Sequence, residues 1–245
     1  MGRIVVALVC LALVSEPGVA RAREWRQPVP FPEGAPRALV IGDSNIYGPM
    51  GDALQDELVA RGYAVWRRGL PSTGLGRQDH YDWIRQARAM IAVFQPRLVV
   101  VQLGGNDVVV VTYRDRAARP VRFVDEARWR PAYEARAREL YELLAADGRQ
   151  VFVLSPPNRG RGATRVARVR DVQRAAAAGI PGLTYIDMFP LTSDADGRWL
   201  YATEDAHGRR VVVRRSDTIH LNDAGGAIVG GRVVAMMTHL GLGAR

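Results

Sequence analysis

Lysine is missing altogether: the 34 lysine-plus-arginine positions of this 245-residue chain are all arginines. That absence excludes a P-loop with its phosphate-binding lysine, a Schiff-base lysine and a Ser-Lys dyad. Cysteine is nearly absent too. Cys10 is the only one, and it lies in an apolar N-terminal run. Beyond it there can be no disulfide, no thiolate nucleophile and no Cys-ligated zinc. Long hydrophobic runs are also wanting. After the N-terminal segment, no stretch is long and apolar enough to read as a bilayer-spanning helix. No aromatic-and-basic module for nucleic acid is present either.

The N-terminal segment has its own character. Arg3 is followed by an almost wholly apolar stretch from Ile4 to Val14, and Ala20-Arg21-Ala22 gives a small-x-small end. This is the pattern of a secretory signal peptide over residues 1–22, cut after Ala22. The alternative is an uncleaved anchor. Val9 before Cys10 is not small, which argues against a lipoprotein cut. Export without disulfides fits a periplasm or the cell exterior. Residues 23–36 are proline-rich and aperiodic, as in a linker.

The formal charge is +9, and removing residues 1–22 leaves +8. Such a balance suits contact with anionic surfaces or polysaccharides. The arginines are scattered, as in "TRVARVRDVQR", and read mostly as a solvated face. Hydrophobic content of 48% over this length is enough for a sizeable core.

From residue 37 onward, short apolar strands alternate with helical stretches. "RALVIG", "YAVWR", "RLVVVQL", "QVFVLS" and "LTYIDMF" read as strands. Helices are expected over Met50–Arg61, from Asp82 to Phe94, from Trp129 to Gly148, over Arg165–Ala178 and from Leu221 to Gly241, the last capped by Asn222 or Asp223. Near-continuous apolar strands joined by helices mean a five-stranded parallel sheet covered on both faces, a three-layer α/β/α sandwich in one domain. Residues 193–215 break the rhythm. "GRWLYAT" and "RRVVVRR", separated by "DAHG", predict an inserted β-hairpin.

Ligands in open α/β sheets bind outside the carboxyl ends of the strands. The first strand ends in "GDSN", so Ser44 is a turn residue, a helix cap or a nucleophile. A serine nucleophile needs a base, and four histidines are available. His239 sits among apolar residues of the last helix, His207 in the hairpin turn, and His80 in "RQDHYDW" near a candidate loop. His220, in "SDTIHLND", has Asp217 three residues before it, a carboxylate placed to orient an imidazole. The alternative is a helix-entry turn. The third strand ends in "QLGGND", where Asn106 offers a neutral donor, and "PSTGLG" offers the N–H of Gly74 or Gly76. Either stretch is otherwise a turn or flexible loop.

The four blocks "GDSN", "STGLG", "GGND" and "DTIH" occur in the order Ser, Gly, Asn, His. Over residues 37–245 the chain resembles the SGNH hydrolases, or GDSL esterases. The resemblance implies a flavodoxin-like sheet and an ester-cleaving serine enzyme. Ser44 would be the nucleophile, His220 the general base and acid, and Asp217 its orienting carboxylate. The N–H groups of Ser44 and Gly74 and the Asn106 amide would form the oxyanion hole. No metal or organic cofactor is implied. "STGLGRQDHYDW" and "SPPNRG" also resemble a poorly characterised exported branch of that superfamily. Asn45 stands where many relatives have leucine.

The expected substrate is an O-acylated, and first of all acetylated, glycan or a similar ester. Two readings compete: an O-acyltransferase with the same triad, and a non-catalytic glycan-binding protein. Asp43, Tyr81, Trp83 and Arg159 are candidate substrate-binding residues. Trp129 and Tyr133 are alternative sugar platforms or packing aromatics, and Arg161, Arg214 and Arg215 alternative contacts for an acidic glycan or plain surface charge. The sequence leaves the oligomeric state open.

Overall fold

A computed structural model describes residues 33–115 and 117–243. The expected signal peptide and most of the expected linker lie outside the described residues.

Five parallel strands form the central sheet: β1 (Arg37–Gly42), β2 (Ala64–Gly69), β3 (Leu98–Gln102), β6 (Gln150–Leu154) and β7 (Leu183–Ile186). Their order is β2-β1-β3-β6-β7. The remaining strands are two short antiparallel pairs. One joins β4 (Val110–Val111) to β5 (Val121–Arg122), and the other joins β8 (Ala202–Glu204) to β9 (Arg210–Val212). The expected three-layer sandwich is therefore observed.

Alternation along the strands explains the layers. Leu39, Ile41, Val99, Val101, Val151 and Val153 belong to one core, and Ala38, Val40, Leu98, Val100, Phe152 and Leu154 to the other. Successive side chains point to opposite faces, so a strand buried on both sides must be apolar throughout. Helices α3 (Trp83–Phe94), α4 (Glu126–Ala145) and α5 (Ala163–Ala177) cover the first core. The short α1 (Ser44–Tyr47), α2 (Pro49–Ala60) and α6 (Asp223–His239) cover the second.

Local chemistry sets the helix ends. Asp82 caps α3 by accepting from the Arg85 N–H at 3.0 Å, and Asn222 caps α6 by accepting from the Gly225 N–H at 2.9 Å. Of the two expected caps, Asn222 is the one used. α4 begins three residues earlier than its periodicity suggested, taking in Pro131 within its second turn.

Two differences from expectation concern the loops. The β4–β5 pair was not foreseen, because two-residue strands carry no periodic signal. In the insert, only Ala202 and Thr203 of the first expected strand pair as a ladder, which extends to Glu204; Trp199 makes a single bridge to Ser193 instead. Several arginines are also not solvated. Arg136, Arg149, Arg170 and Arg214 are buried: Arg136, Arg149 and Arg214 donate to backbone carbonyls from inside the fold, and Arg170 lies over the Phe189 ring. Arg149, for example, donates to the Leu143 and Leu144 carbonyls.

The sheet order places a topological switch between β1 and β3: the chain leaves β1 toward β2 and leaves β3 toward β6. Their carboxyl ends diverge there and leave a crevice. α6 closes the crevice from one side by lying against α2. A Cβ on Gly226 would stand 2.3 Å from the Pro49 side chain and 2.5 Å from its carbonyl carbon. Only glycine permits that approach. Gly226→Val is expected to cost about 3 kcal/mol or more of stability, since neither backbone can yield. Chemical denaturation compared with Gly231→Ala, at a position with open space, checks it.

Candidate active site

Ser44 opens α1 directly after β1. Asp43 is the N-cap, accepting from the Asn45 N–H at 3.0 Å and from the Asn45 amide at 3.1 Å. This cap fixes the turn and presents the serine hydroxyl at the crevice. Asn45 therefore has a structural task, bonding the cap.

His220 arrives from the far end of the chain. Its Nε2 lies 2.9 Å from the Ser44 Oγ, and its Nδ1 lies 2.7 Å from the Asp217 Oδ2. The other Asp217 oxygen accepts from the Ile219 N–H at 2.8 Å and the His220 N–H at 2.9 Å. The carboxylate thus holds both the ring and the backbone that carries it. Burial alone would raise the Asp217 pKa, but the His220 side-chain bond and these two N–H groups hold it down at about 2. With Nδ1–H donated to a carboxylate, Nε2 is left to accept the serine proton.

The segment carrying His220 is a closed turn. Arg215 donates its N–H to the His220 carbonyl, and Thr218, at φ 61°, donates to the Arg215 carbonyl. A β-branched residue in the left-handed region is strained and persists only where its surroundings fix it. Arg214 supplies much of that fixing. Its guanidinium donates to the carbonyls of Leu200 at 3.1 Å, Ile219 at 2.8 Å and Asn158 at 2.6 Å. Burial lowers its pKa to about 10. Arg214 is therefore neither surface charge nor a substrate contact; it ties the histidine turn to the loop after β6.

The oxyanion candidates come from two further loops. The Asn106 side-chain N–H donates to the Thr73 carbonyl at 2.8 Å, fixing the Thr73–Gly74 peptide and leaving its second N–H uncommitted. The N–H groups of Ser44 and Gly74 find no acceptor among the described residues. Asp107, fully buried, accepts from the N–H groups of Leu75 at 3.0 Å and Gly76 at 2.7 Å and from the Tyr133 hydroxyl at 2.8 Å. Burial pushes its carboxyl above the usual range, against those three bonds. A Cβ on Gly74 would stand 2.2 Å from the Asp107 carboxylate, so this loop needs glycine there. Asp107 is a positioning residue that the sequence reading passed over, although it directly follows Asn106 in "GGND".

The expected substrate-binding residues divide. Trp83 is 1% exposed and cannot stack on a sugar; its indole N–H donates to the Thr73 hydroxyl at 3.1 Å, bracing the Gly74 loop. Trp129 and Tyr133 are likewise buried, stacked on each other with ring centroids 5.0 Å apart. Asp43 is buried as a cap and does not face the cleft. Tyr81 is half-buried edge-on to Trp83 and does not line the cleft beside Ser44. Arg159 reaches the loop of Gly105 and is treated below. His80, His207 and His239 are exposed and make no contact with Ser44; His239 does not pack as expected because it lies on the solvent side of the last turn.

A cleft of about 240 Å³ opens beside Ser44 and His220, walled by Tyr47, Pro49, Met50, Pro71 and Leu221, with Arg215 at its edge. Its walls are chiefly apolar and it is small, which suits a short acyl or alkyl group. Among the described residues, no three His, Cys, Asp or Glu side chains are grouped to hold a metal ion.

Residues 37–236 match a family described as a protein of unknown function, DUF459. The chain belongs to this family. Among solved structures, this DUF459 protein is similar to a GDSL-like lipase of Bacteroides thetaiotaomicron, at 15% identity and TM-score 0.54, over 83% of this chain and 88% of that one. An acetylxylan esterase of Geobacillus stearothermophilus matches at 15% identity and TM-score 0.55, over 85% and 95%. A psychrotrophic esterase of Pseudoalteromonas matches at 15% and 0.53, over 83% and 97%. No curated protein matches by sequence. These likenesses establish that the DUF459 chain has the fold of the SGNH hydrolases.

Asp43 gives the site a measurable pH signature. Burial raises its pKa from the ordinary 3.8 to about 6, despite the Asn45 bonds. A carboxyl raised in the folded state binds its proton more tightly than when unfolded. Its contribution to stability is therefore greatest below about pH 4, falls as pH rises to about 6, and then stays level. Asp43→Asn does not titrate. The melting temperature of the wild type relative to Asp43→Asn is expected to fall between pH 4 and pH 7, by the equivalent of roughly 2–3 kcal/mol. A flat difference would contradict the burial of that charge.

Proposed function

We propose that this protein is an exported serine esterase of SGNH type that hydrolyses O-acyl esters, acetyl esters foremost, on a glycan of the cell envelope or exterior. One observation carries the reading: an unbroken hydrogen-bonded line from Asp217 through His220 to the Ser44 hydroxyl, at a sheet edge where two backbone N–H groups and the second N–H of the Asn106 amide remain without acceptors.

The chemistry follows from that line. His220 Nε2 takes the Ser44 proton as Oγ attacks the acyl carbon, and Asp217 stabilises the imidazolium. The carbonyl oxygen gains the negative charge, and the N–H groups of Ser44 and Gly74 with the Asn106 amide hold it. The imidazolium then gives its proton to the departing alkoxide, leaving an acyl-Ser44. Water, deprotonated by His220, attacks the acyl carbon; the acyl–oxygen bond to Ser44 breaks as the imidazolium returns its proton to the Ser44 oxygen, and the acid leaves. The small apolar-walled cleft supports a short acyl group, and the acetylxylan esterase among similar folds supports a glycan ester. The N-terminal pattern of residues 1–22 supports export.

A fluorophosphonate probe should label the wild-type protein and not Ser44→Ala. On acetylated glycans, Ser44→Ala is expected to lose roughly 10⁴-fold or more in kcat, and Asp217→Asn a comparable factor. Asn106→Ala should lose roughly 10²–10³-fold in kcat. A protein that is unlabelled, with Ser44→Ala indistinguishable from wild type, is not an esterase. Supplying a glycan acceptor separates hydrolysis from transfer: acylated acceptor exceeding free acid would make it an acyltransferase.

A further inference from the structure

The four arginines read from the sequence as possible contacts for an acidic glycan differ in what their guanidinium groups do. Arg214 is committed to three carbonyls. Arg161 and Arg215 are exposed. Arg159 is half-buried, yet no acceptor among the described residues takes a hydrogen bond from its side chain, and its Nε is fully enclosed without a partner. Burial lowers its pKa, with only the more distant Asp43 opposing. Burying even the Nε–H of an arginine unpaired is costly, and the Nη donors remain open to a ligand.

Its position is built rather than accidental. The Arg159 N–H donates to the Asn158 Oδ1 at 2.9 Å, and the Asn158 N–H donates to the Thr192 hydroxyl at 2.8 Å. The next residue, Gly160, donates its N–H to the Thr218 carbonyl at 3.0 Å, on the turn between Asp217 and His220. The backbone of Arg159 is thus anchored to the histidine turn, while its side chain reaches across to Gly105, next to Asn106. Its Nη1 lies 3.9 Å, and the unpartnered Asp43 Oδ2 3.2 Å, from where a Gly105 Cβ would stand. Asp43 and Arg159 are not in ion-pair contact. A side chain at position 105 would press on the Asp43 carboxylate and reach the guanidinium; glycine leaves both uncovered beside the oxyanion loop.

Resting on the esterase reading, we propose that Arg159 is a specificity-determining residue that binds a carboxylate carried by the ester substrate. A guanidinium fork matches a carboxylate bidentately. One half-buried cation with Asp43 nearby suits a single negative charge better than a dianion. The carboxylate can sit on either side of the scissile bond: on a dicarboxylic acyl group, or on an acidic sugar that bears the ester.

Two matched substrate pairs test this. 4-Nitrophenyl acetate against mono-4-nitrophenyl succinate probes the acyl side, and acetylated xylo-oligosaccharide against acetylated oligogalacturonate probes the alcohol side. In one pair, the wild type should favour the anionic member in kcat/KM. Arg159→Gln should lower kcat/KM on that member about tenfold more than on its neutral partner, as for loss of a charge-assisted hydrogen bond. Arg159→Lys should restore part of the preference. In the wild type alone, added salt should weaken turnover of the anionic member selectively, which needs no variant to fold. No preference in either pair, or an equal loss on both members in Arg159→Gln, overturns the inference while leaving the esterase reading intact. Absence of probe labelling and of all turnover overturns both.

Discussion

A buried carboxylate without an ion-pair partner holds the candidate site together. Asp107 accepts from two consecutive backbone N–H groups of the Gly74 loop and from Tyr133 on α4. Gln173 on α5 extends the network by donating to the Tyr133 hydroxyl at 3.0 Å and to the Leu103 carbonyl at 3.0 Å. One side chain thereby joins the loop after β2, the loop after β3 and two helices. Such a network is stable only when its members find partners, since a bare carboxylate in this interior would be prohibitively costly. It gives the free N–H of Gly74 a fixed address.

The rest of the site is held by similar carbonyl-and-amide braces. Arg214 does for the histidine turn what Asp107 does for the glycine loop, with donors in place of acceptors. Trp83 braces the same glycine loop through Thr73. These residues never touch a substrate, yet they set the positions of the atoms that would. Rigid support of this kind would let a hydroxyl, an imidazole and an amide act without reorganising in the proposed reaction. The strained Thr218 fits that picture, because its conformation persists against the cost of φ 61°.

The charge distribution has a corresponding logic. The chain is strongly basic, but its arginines are not interchangeable. Some donate to backbone carbonyls from within, some pair with surface carboxylates such as Arg138 with Glu142 at 2.8 Å, and Arg159 stands beside the oxyanion loop with its Nε enclosed and unpaired. Ion pairs on the surface contribute little to stability. Arg170 also encloses an unpaired guanidinium nitrogen, but it lies over the Phe189 ring in the fold; Arg159 is the one beside the oxyanion loop.

Much of this was legible in the sequence for identifiable reasons. The five β-strands announced themselves because burial on both faces forces uninterrupted apolar runs, and their alternation with helices left a parallel sheet as the consistent arrangement. Ser44, Asn106 and Asp217 with His220 stood out because each follows a strand or precedes a helix with chemistry that a plain turn does not need. What the sequence could not determine was which aromatic rings face solvent and which guanidinium groups are enclosed. Trp83 reads as a candidate sugar platform and Tyr133 as platform or packing aromatic until α3 and α4 fold both into the core, and Arg214 reads as surface charge until three carbonyls from separate loops surround it. Burial and hydrogen-bond partners at such positions depend on segments remote in the chain. Only the tertiary structure could decide that Asp107 and Arg214 brace the site while Arg159 remains open beside it.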